Sequence, residues 1–332
     1  MAKVIRIRRH GGPAVMELVD VELPSPAPDE VRVRHTAIGV NFSDVNVRRG
    51  GFYPNYNPSF PLGIGNEAAG IVEGVGAEVV DFKAGDRVAY AGMRSQFYQD
   101  TGAYAEARNV PADRLVAVPP GVSDQQAAAL LLKGCTASLI ITDVYKPERD
   151  DIILIHTGAA GVGSILVQWS KHLGATVIGT VGSIQKVEIA KRFGCDHVIL
   201  YREVDFVTEV KRIAPNGLTA VFDGVGKDTF LASLPLLRQL GRAVNYGNAS
   251  GNVPPFNVML LASKSLSVTR VGVTGHIQDT TSFRRVANRV FDLVQNGTIT
   301  VNIDRTYPLA EASTAHADLE EGRFSGSVLL LP

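Results

Sequence analysis

Residues 151–183 read DIILIHTGAAGVGSILVQWSKHLGATVIGTVGS, and this stretch decides the fold. Ile152, Ile153, Leu154 and Ile155 form a continuous apolar run, the pattern of a strand buried on both faces of a parallel sheet. Gly158-Ala159-Ala160-Gly161-Val162-Gly163 follows at once. Ile165, Leu166, Trp169 and Leu173 recur at helical spacing up to Gly174, and residues 176–180 form a second short apolar strand. The stretch predicts strand, turn, helix and strand, with its glycines at the first turn. A helix N-terminus has unpaired N–H groups and the positive end of the dipole, so it attracts an anion; small residues let a pyrophosphate reach the backbone. The turn is G-x-A-x-x-G, not the strict G-x-G-x-x-G. Alone it also describes a bare structural turn. The strand before it and the helix after it favour a dinucleotide site.

The end of the second strand bears on which dinucleotide. An acid there, about 20 residues on, holds the ribose 2′-OH of NAD. Here the strand runs into Val181-Gly182-Ser183, and Lys186 follows. A hydroxyl and a cation suit a 2′-phosphate and favour NADP(H). The blander reading makes Ser183 the cap of the next helix and Lys186 a solvated charge; the two readings are compatible.

The length, 332 residues, fits two domains. Lys+Arg and Asp+Glu balance at 33 each, so charge gives no reason to expect nucleic acid or an anionic membrane as partner. No apolar run approaches the roughly 18 residues of a membrane span. The basic start MAKVIRIRRHGG lacks the apolar core of a signal peptide and alternates like a strand. Two distant cysteines, Cys135 and Cys195, argue against a disulfide framework and fit the cytoplasm.

Residues 1–125 read as mostly β, in short alternating runs such as Val31-Arg32-Val33-Arg34, with helices starting near Ser43 and Ser123. Ser123 and Gln126 have capping-box spacing, and the helix continues towards Ile141. From Asp151 strands and helices alternate: helix 185–193, strand 197–201, helix 206–213, strand 220–223, helix 229–240 and strand 243–247. Residues 265–273 add an edge strand. The tail holds helix 282–295, strand 299–304, helix 309–320 and strand 328–331. Such alternation implies an α/β fold with a parallel sheet covered on both faces. The tail is more like the first segment than the middle one.

Taken together, several segments carry a family resemblance. They are His10-Gly11-Gly12-Pro13, Ile38-Gly39-Val40-Asn41-Phe42-Ser43-Asp44, Gly65-Asn66-Glu67-Ala68-Ala69-Gly70 and Gly102-Ala103-Tyr104-Ala105-Glu106. Leu132-Lys133-Gly134-Cys135-Thr136-Ala137, the Gly-rich turn, Gly179-Thr180-Val181-Gly182-Ser183 and Tyr246-Gly247-Asn248 complete the set. The chain resembles, over nearly its whole length, the zinc-free quinone oxidoreductases of the medium-chain dehydrogenase/reductase superfamily, the group that includes ζ-crystallin. The resemblance implies a GroES-like, mostly-β domain (1–125 with 271–332) and a Rossmann doubly wound domain (126–270), with the active site in the cleft between them. Zinc-dependent relatives carry Cys and His ligands in the segments matching Asn41, Asn66 and Lys133, and a structural zinc lobe needs four close cysteines. This chain has none of those ligands, and its seven histidines form no tight cluster. No metal is expected, and without a Lewis acid the chemistry suits an acceptor that is already electrophilic.

The family's contacts carry over by position. Asn41, Phe42 and Ser43 would lie beside the nicotinamide of NADPH. Lys133 would reach the cofactor's phosphates; otherwise it is a helix-surface charge, costly in so apolar a stretch. Ala160, Gly161, Val162 and Gly163 would receive the pyrophosphate. Ser183, Lys186 and Tyr201 would surround the 2′-phosphate, although Tyr201 also suits a strand-end aromatic. Gly224, Gly247 and Asn248 follow the fourth and fifth strands, where open α/β sheets bind ligands. Thr269, Arg270 and Arg323 match further family segments. His156 either lines the cofactor groove or is buried and hydrogen-bonded. The chain departs from the family at Asn46, where members commonly carry Tyr. Tyr53 either supplies a nearby phenol or forms a wall of the acceptor pocket. Asp44 either relays a proton or meets the helix dipole. The loop 91–101, with MRSQFYQD at its centre, is long enough to shape specificity or to be plain surface. The expected function is NADPH:quinone reduction without metal or flavin, in a homodimer joined through the Rossmann sheet edges. The alternatives are an NADPH-dependent reductase of α,β-unsaturated ketones or aldehydes, and a non-catalytic NADPH-binding protein.

Overall fold

The computed structural model describes residues 1–53, 56–92 and 101–332. The centre of the long loop expected at 91–101 lies outside the described residues. By its internal contacts the chain forms two units: 1–135 with 274–296 and 301–332, and 136–273 with 297–300.

The first unit is built on the strand Glu30–Val40, which pairs antiparallel with Glu67–Val75, Ala107–Pro111 and Ser327–Leu331. Arg87–Ala91 and Val116–Ala117 extend one side of this sheet, and Ile303–Pro308 closes the other. Val31, Val33, Ile38, Ile64, Val88 and Tyr90 meet in its core. Each such buried side chain contributes roughly 1.5–3 kcal/mol. A smaller sheet joins Ala2–Ile7 to Met16–Val21 and Leu62–Gly63. The helix Phe42–Arg49 leaves the end of the central strand directly, so Asn41 sits at its N-cap.

The second unit is one parallel six-stranded sheet. Its spatial order is His197–Leu200, Thr176–Val181, Ile152–His156, Leu218–Asp223, Leu237–Asn245, Ser267–Arg270. In chain order this is 3-2-1-4-5-6, the doubly wound order whose direction reverses between the first and fourth strands. The ligand crevice of such a sheet lies at the carboxyl ends of those two strands. The helix Gly161–His172 follows the first strand as expected, and Gly174 ends it at φ 97°.

Three expectations need correction. The helix expected at 229–240 is one turn, Phe230–Ser233, then a tight turn Leu234–Leu236 and the strand Leu237–Asn245. Pro235 has no N–H to give and its ring blocks helix continuation. The strand expected at 299–304 begins only at Ile303, because the Gln168 side chain takes both backbone groups of Thr300 (2.8 and 3.2 Å). The helix Asp124–Ser138 runs on as a wider-wound turn to Val144, and this 21-residue helix (mean hydropathy 1.6) is long and apolar enough to cross a membrane. However, 78% of its apolar window is buried within the protein, as in a core helix. Its start carries the expected box: Ser123 and Gln126 exchange backbone N–H bonds with each other's side chains (2.9 and 3.1 Å).

The tail segment 274–296 is pinned by a buried cation. Arg114 donates to the carbonyls of Gln278 (2.8 Å) and Ile277 (2.9 Å) and lies over the Phe283 ring. Arg114→Met strands two acceptors and is expected to cost about 2–4 kcal/mol in urea unfolding. Exposed Arg285→Ala is the control and should stay within about 0.5 kcal/mol.

Candidate active site

In the second unit the Gly-rich turn shows two opposite uses of glycine. A Cβ on Gly163 would stand 2.2 Å from the Thr157 carbonyl oxygen, so only glycine lets the helix start this close to the strand end. Gly161, at φ 52°, has nothing within 4 Å of its Cβ position, so its face of the turn is open. Ala160 is the N-cap in an extended conformation and gives the helix no side-chain cap. The first N–H groups of Gly161–His172 are therefore left to a ligand or water. That is the donor set a pyrophosphate needs.

Ser183, Lys186 and Tyr201 gather at the ends of the second and third strands. The Lys186 N–H bonds the Ser183 carbonyl (3.1 Å) within the first turn of the next helix. The Tyr201 N–H bonds the Val181 carbonyl (3.2 Å), and the phenol lies 3.1 Å from where a Gly182 Cβ would stand. No acid stands between Val181 and Lys186. Gly224 and Gly247 approach backbone to backbone: a Cβ on Gly247 would lie 2.6 Å from the Gly224 carbonyl oxygen. Beside them is a cleft of about 510 Å³ lined by Asn245, Asn248, Asn252, Phe256, Thr269 and Arg270. Asn248 Oδ1 is buried there without a partner, and Arg270 donates to the Asn245 carbonyl (3.2 Å). Asp223 closes the fourth strand's turn, accepting from Val225 N–H, Gly226 N–H and the Thr229 hydroxyl (2.7, 2.8 and 2.7 Å). His156 is buried between Thr180 Oγ1 and Ser233 Oγ, 3.0 Å each, which is the structural alternative for this residue. Burial lowers its pKa.

In the first unit Asn41 and Lys133 converge on a residue the sequence reading left without a role. The Glu67 carboxylate is fully buried. Its Oε1 accepts from Asn41 Nδ2 (2.7 Å) and Lys133 Nζ (3.1 Å), and its Oε2 from the Leu132 N–H (2.7 Å). Phe42 and Ser43 open the adjoining helix, and Ser43 Oγ is buried without a partner.

Asp44 neither faces solvent at the helix start nor stands alone. It is fully buried and accepts from Asn66 Nδ2 (2.6 Å), the Asn41 N–H (2.9 Å) and the Tyr104 hydroxyl (3.1 Å). The same hydroxyl lies 2.9 Å from His316 Nε2. Burial pushes the Asp44 carboxyl up to about 7, with the Glu67 charge adding to it and the bonds from Asn66, Asn41 and Tyr104 opposing it. Burial and the Arg48 charge hold His316 down to about 3, so its ring is neutral. A protonated Asp44 donates to Tyr104, which then donates to His316. An ionised Asp44 accepts a hydrogen bond from the Tyr104 hydroxyl, and His316 Nε2–H then donates to Tyr104. The chain of three thus reverses direction with one proton.

Sequence reasoning missed Glu67, Asn66, Tyr104 and His316. The first three stand in segments already singled out, and a Glu inside the apolar run of a strand was the available signal. Tyr53 lies in an aromatic cluster, edge-on to Phe52 (4.9 Å) and Tyr56 (6.3 Å) and packed on the unit's core. Arg323 is tied to Asp318 (2.6 Å) and to Glu321. Among the described residues no three His, Cys, Asp or Glu side chains are placed to hold a metal.

Two family models match. Residues 27–120 match the alcohol dehydrogenase GroES-like domain and residues 161–291 match zinc-binding dehydrogenase. The chain is 41% identical to quinone oxidoreductase 1 of Escherichia coli over the full length of both. It is 38% identical to a 2-haloacrylate reductase of Burkholderia over 98% of each chain. The structure of E. coli quinone oxidoreductase complexed with NADPH superposes with a TM-score of 0.93 at 40% identity, covering 99% of this chain and 100% of that one.

The raised Asp44 value has a stability consequence of defined sign. A carboxyl that binds its proton more tightly when folded loses stability as pH rises from its unfolded value, near 4, to its folded value, about 7. Asp44→Asn removes this loss. The difference in unfolding free energy, variant minus wild type, should rise from pH 4 to pH 7 and then level off, as read by urea titration. Taking the difference cancels the opposite contribution of buried His35, which burial holds down to about 4.

Proposed function

The chain belongs to the quinone oxidoreductase family of medium-chain dehydrogenase/reductases, and we propose that it reduces a quinone with NADPH, using neither metal nor flavin. The carrying observation is the uncapped helix start at Ala160, with open Gly161 and close-packed Gly163, at the reversal point of a 3-2-1-4-5-6 sheet. The residues present fit a 2′-phosphorylated dinucleotide. Gly161, Val162 and Gly163 offer N–H groups to its pyrophosphate beside Ala160, whose own N–H is held by the Thr157 carbonyl (3.1 Å), and Ser183, Lys186 and Tyr201 offer a hydroxyl, a cation and a phenol to its 2′-phosphate. Gly224, Gly247 and Asn248 border its path past the fourth and fifth strands, and Thr269 and Arg270 line the cleft beyond. The family resemblance adds Asn41, Phe42, Ser43, Lys133 and Arg323 as cofactor contacts. When bound, NADPH supplies the hydride.

The protein's own part is to bind, orient and exclude water. Asn41, Asn66 and Lys133 stand where zinc relatives carry ligands, and none is a zinc ligand of the Cys or His type. A lysine ammonium in that cluster repels a dication. The acceptor therefore has to be electrophilic without Lewis-acid help, as a quinone is. The similarity to the E. coli quinone oxidoreductase supports this acceptor.

The second reading is reduction of an activated carbon–carbon double bond, favoured by the similarity to the Burkholderia 2-haloacrylate reductase. It needs a proton at the substrate α-carbon, and the Asp44 carboxyl is fully buried among Asn66, Asn41 and Tyr104. Anaerobic assays with benzoquinone and an enal, each run beside its uncatalysed rate, separate the readings. Turnover with the quinone alone is expected; turnover with the enal alone moves the function to double-bond reduction.

We further place the protein in the cytoplasm, where two buried free cysteines suit a reducing compartment. We also propose a homodimer through the edge strand Ser267–Arg270, beside which Val258, Met259 and Leu260 are exposed. A monomeric mass in sedimentation would contradict it.

Lys186→Ala tests the 2′-phosphate assignment. It should weaken NADPH binding roughly tenfold to a hundredfold, the worth of one charge-assisted bond, and leave NADH binding nearly unchanged. Equal losses for both cofactors would remove Lys186 from that site.

A further inference from the structure

We propose that Glu67 is a positioning residue for the cofactor, setting the places of Lys133 and Asn41 relative to each other. The proposal rests on the reading of both as cofactor contacts.

Glu67 lies on the strand Glu67–Val75, and its carboxylate is fully buried. One oxygen, Oε1, holds both Asn41 Nδ2 at 2.7 Å and Lys133 Nζ at 3.1 Å. The other, Oε2, holds the Leu132 N–H at 2.7 Å. The carboxylate thus grips one helix at two successive residues, once by backbone and once by ammonium. With its backbone gripped next door, the Lys133 side chain has little freedom in where its charge is presented. An ammonium carries three donors, and Glu67 takes one. The shared oxygen links this charge to the amide at the N-cap of Phe42–Arg49. One carboxylate therefore couples two segments distant in sequence at a single atom.

The surrounding chain makes room for it. A Cβ on Gly39 would stand 2.4 Å from Glu67 Oε1, 2.5 Å from its Cγ and 2.4 Å from the Ala128 carbonyl oxygen. Gly39 is thus needed to admit the carboxylate between the central strand and the helix. Stability alone gives weak reason for such a site, since a buried ion pair gains little over apolar residues of the same volume. Geometry is what the pair supplies: a cation fixed beside an oriented amide. Asp44 and Cys135 also face Glu67, and both are protonated at neutral pH or held towards that form by burial. Lys133 is the cation that answers the Glu67 charge.

The test is direct binding of NADPH, read by its fluorescence on the metal-stripped full-length protein between pH 6 and pH 9, together with kcat and KM. Glu67→Gln keeps the volume and removes the charge. It should raise the NADPH Kd by tenfold or more, with a loss that grows towards high pH, because an unanswered buried ammonium gives up its proton more readily. Glu67→Asp keeps the charge and should restore the wild-type pH profile of binding, at a smaller loss of affinity. Should Glu67→Gln not fold, Glu67→Gln with Lys133→Met removes the stranded charge; it should fold and bind NADPH no better than Lys133→Met alone. The proposal is overturned if Glu67→Gln binds NADPH with the wild-type Kd and pH profile. It is also overturned if Gln and Asp variants lose melting temperature and affinity alike with no pH dependence, or if the double variant binds as wild type does. Failure of the wild-type protein to bind NADPH would instead refute the cofactor reading beneath it.

Discussion

A carboxylate sealed from water must find its partners inside the protein, and Glu67 organises the first unit on that condition. A buried charge left unpaired costs several kcal/mol. Glu67 meets the requirement with an ammonium, an amide and a backbone N–H drawn from two segments. Gly39 has no side chain because one would occupy the carboxylate's place. Asp44 sits close enough to feel the same charge and has no cation of its own among its described partners, so it tends to keep its proton. Tyr104 and His316 then form a neutral, proton-flexible chain behind it.

The second unit meets a similar demand with backbone. Asp223 is as buried as Glu67, but two N–H groups of its own turn and one hydroxyl satisfy it. The helix start at Gly161 does the reverse: its donors have no side-chain cap. A helix that is left uncapped at a sheet's reversal point, with glycine excluding side chains at the closest approach, is arranged for an anion rather than for its own stability.

Much of this was legible in the sequence. The apolar run 152–155, the glycines after it and the missing acid after Val181 all act locally, so they can be read residue by residue. Helix 206–213 was read with the bounds the structure gives it, because its amphipathic pattern and Asp205 cap are local too. The misreadings came from competition between signals. The apolar run at 229–240 looked helical, but Pro235 stops it after one turn. Ile299 looked like a strand start, but Gln168 claims the backbone of Thr300. Glu67 and His316 escaped because their partners lie far away in sequence: Lys133 and Tyr104 reach them only through tertiary packing. Spacing along the chain carries no trace of such pairs. Asn41, Lys133 and the glycine turn were singled out as site residues, whereas the carboxylate connecting the first two became visible only in the fold.

The most direct test of the account is a single turnover of protein-bound NADPH. Metal-stripped, flavin-free protein loaded with one equivalent of NADPH is mixed anaerobically with benzoquinone, and the nicotinamide absorbance is followed beside free NADPH under the same conditions. Bound NADPH should be oxidised faster than free NADPH, and added zinc or flavin should change nothing. Equal rates for bound and free cofactor, or a rate that appears only with added metal or flavin, would contradict it.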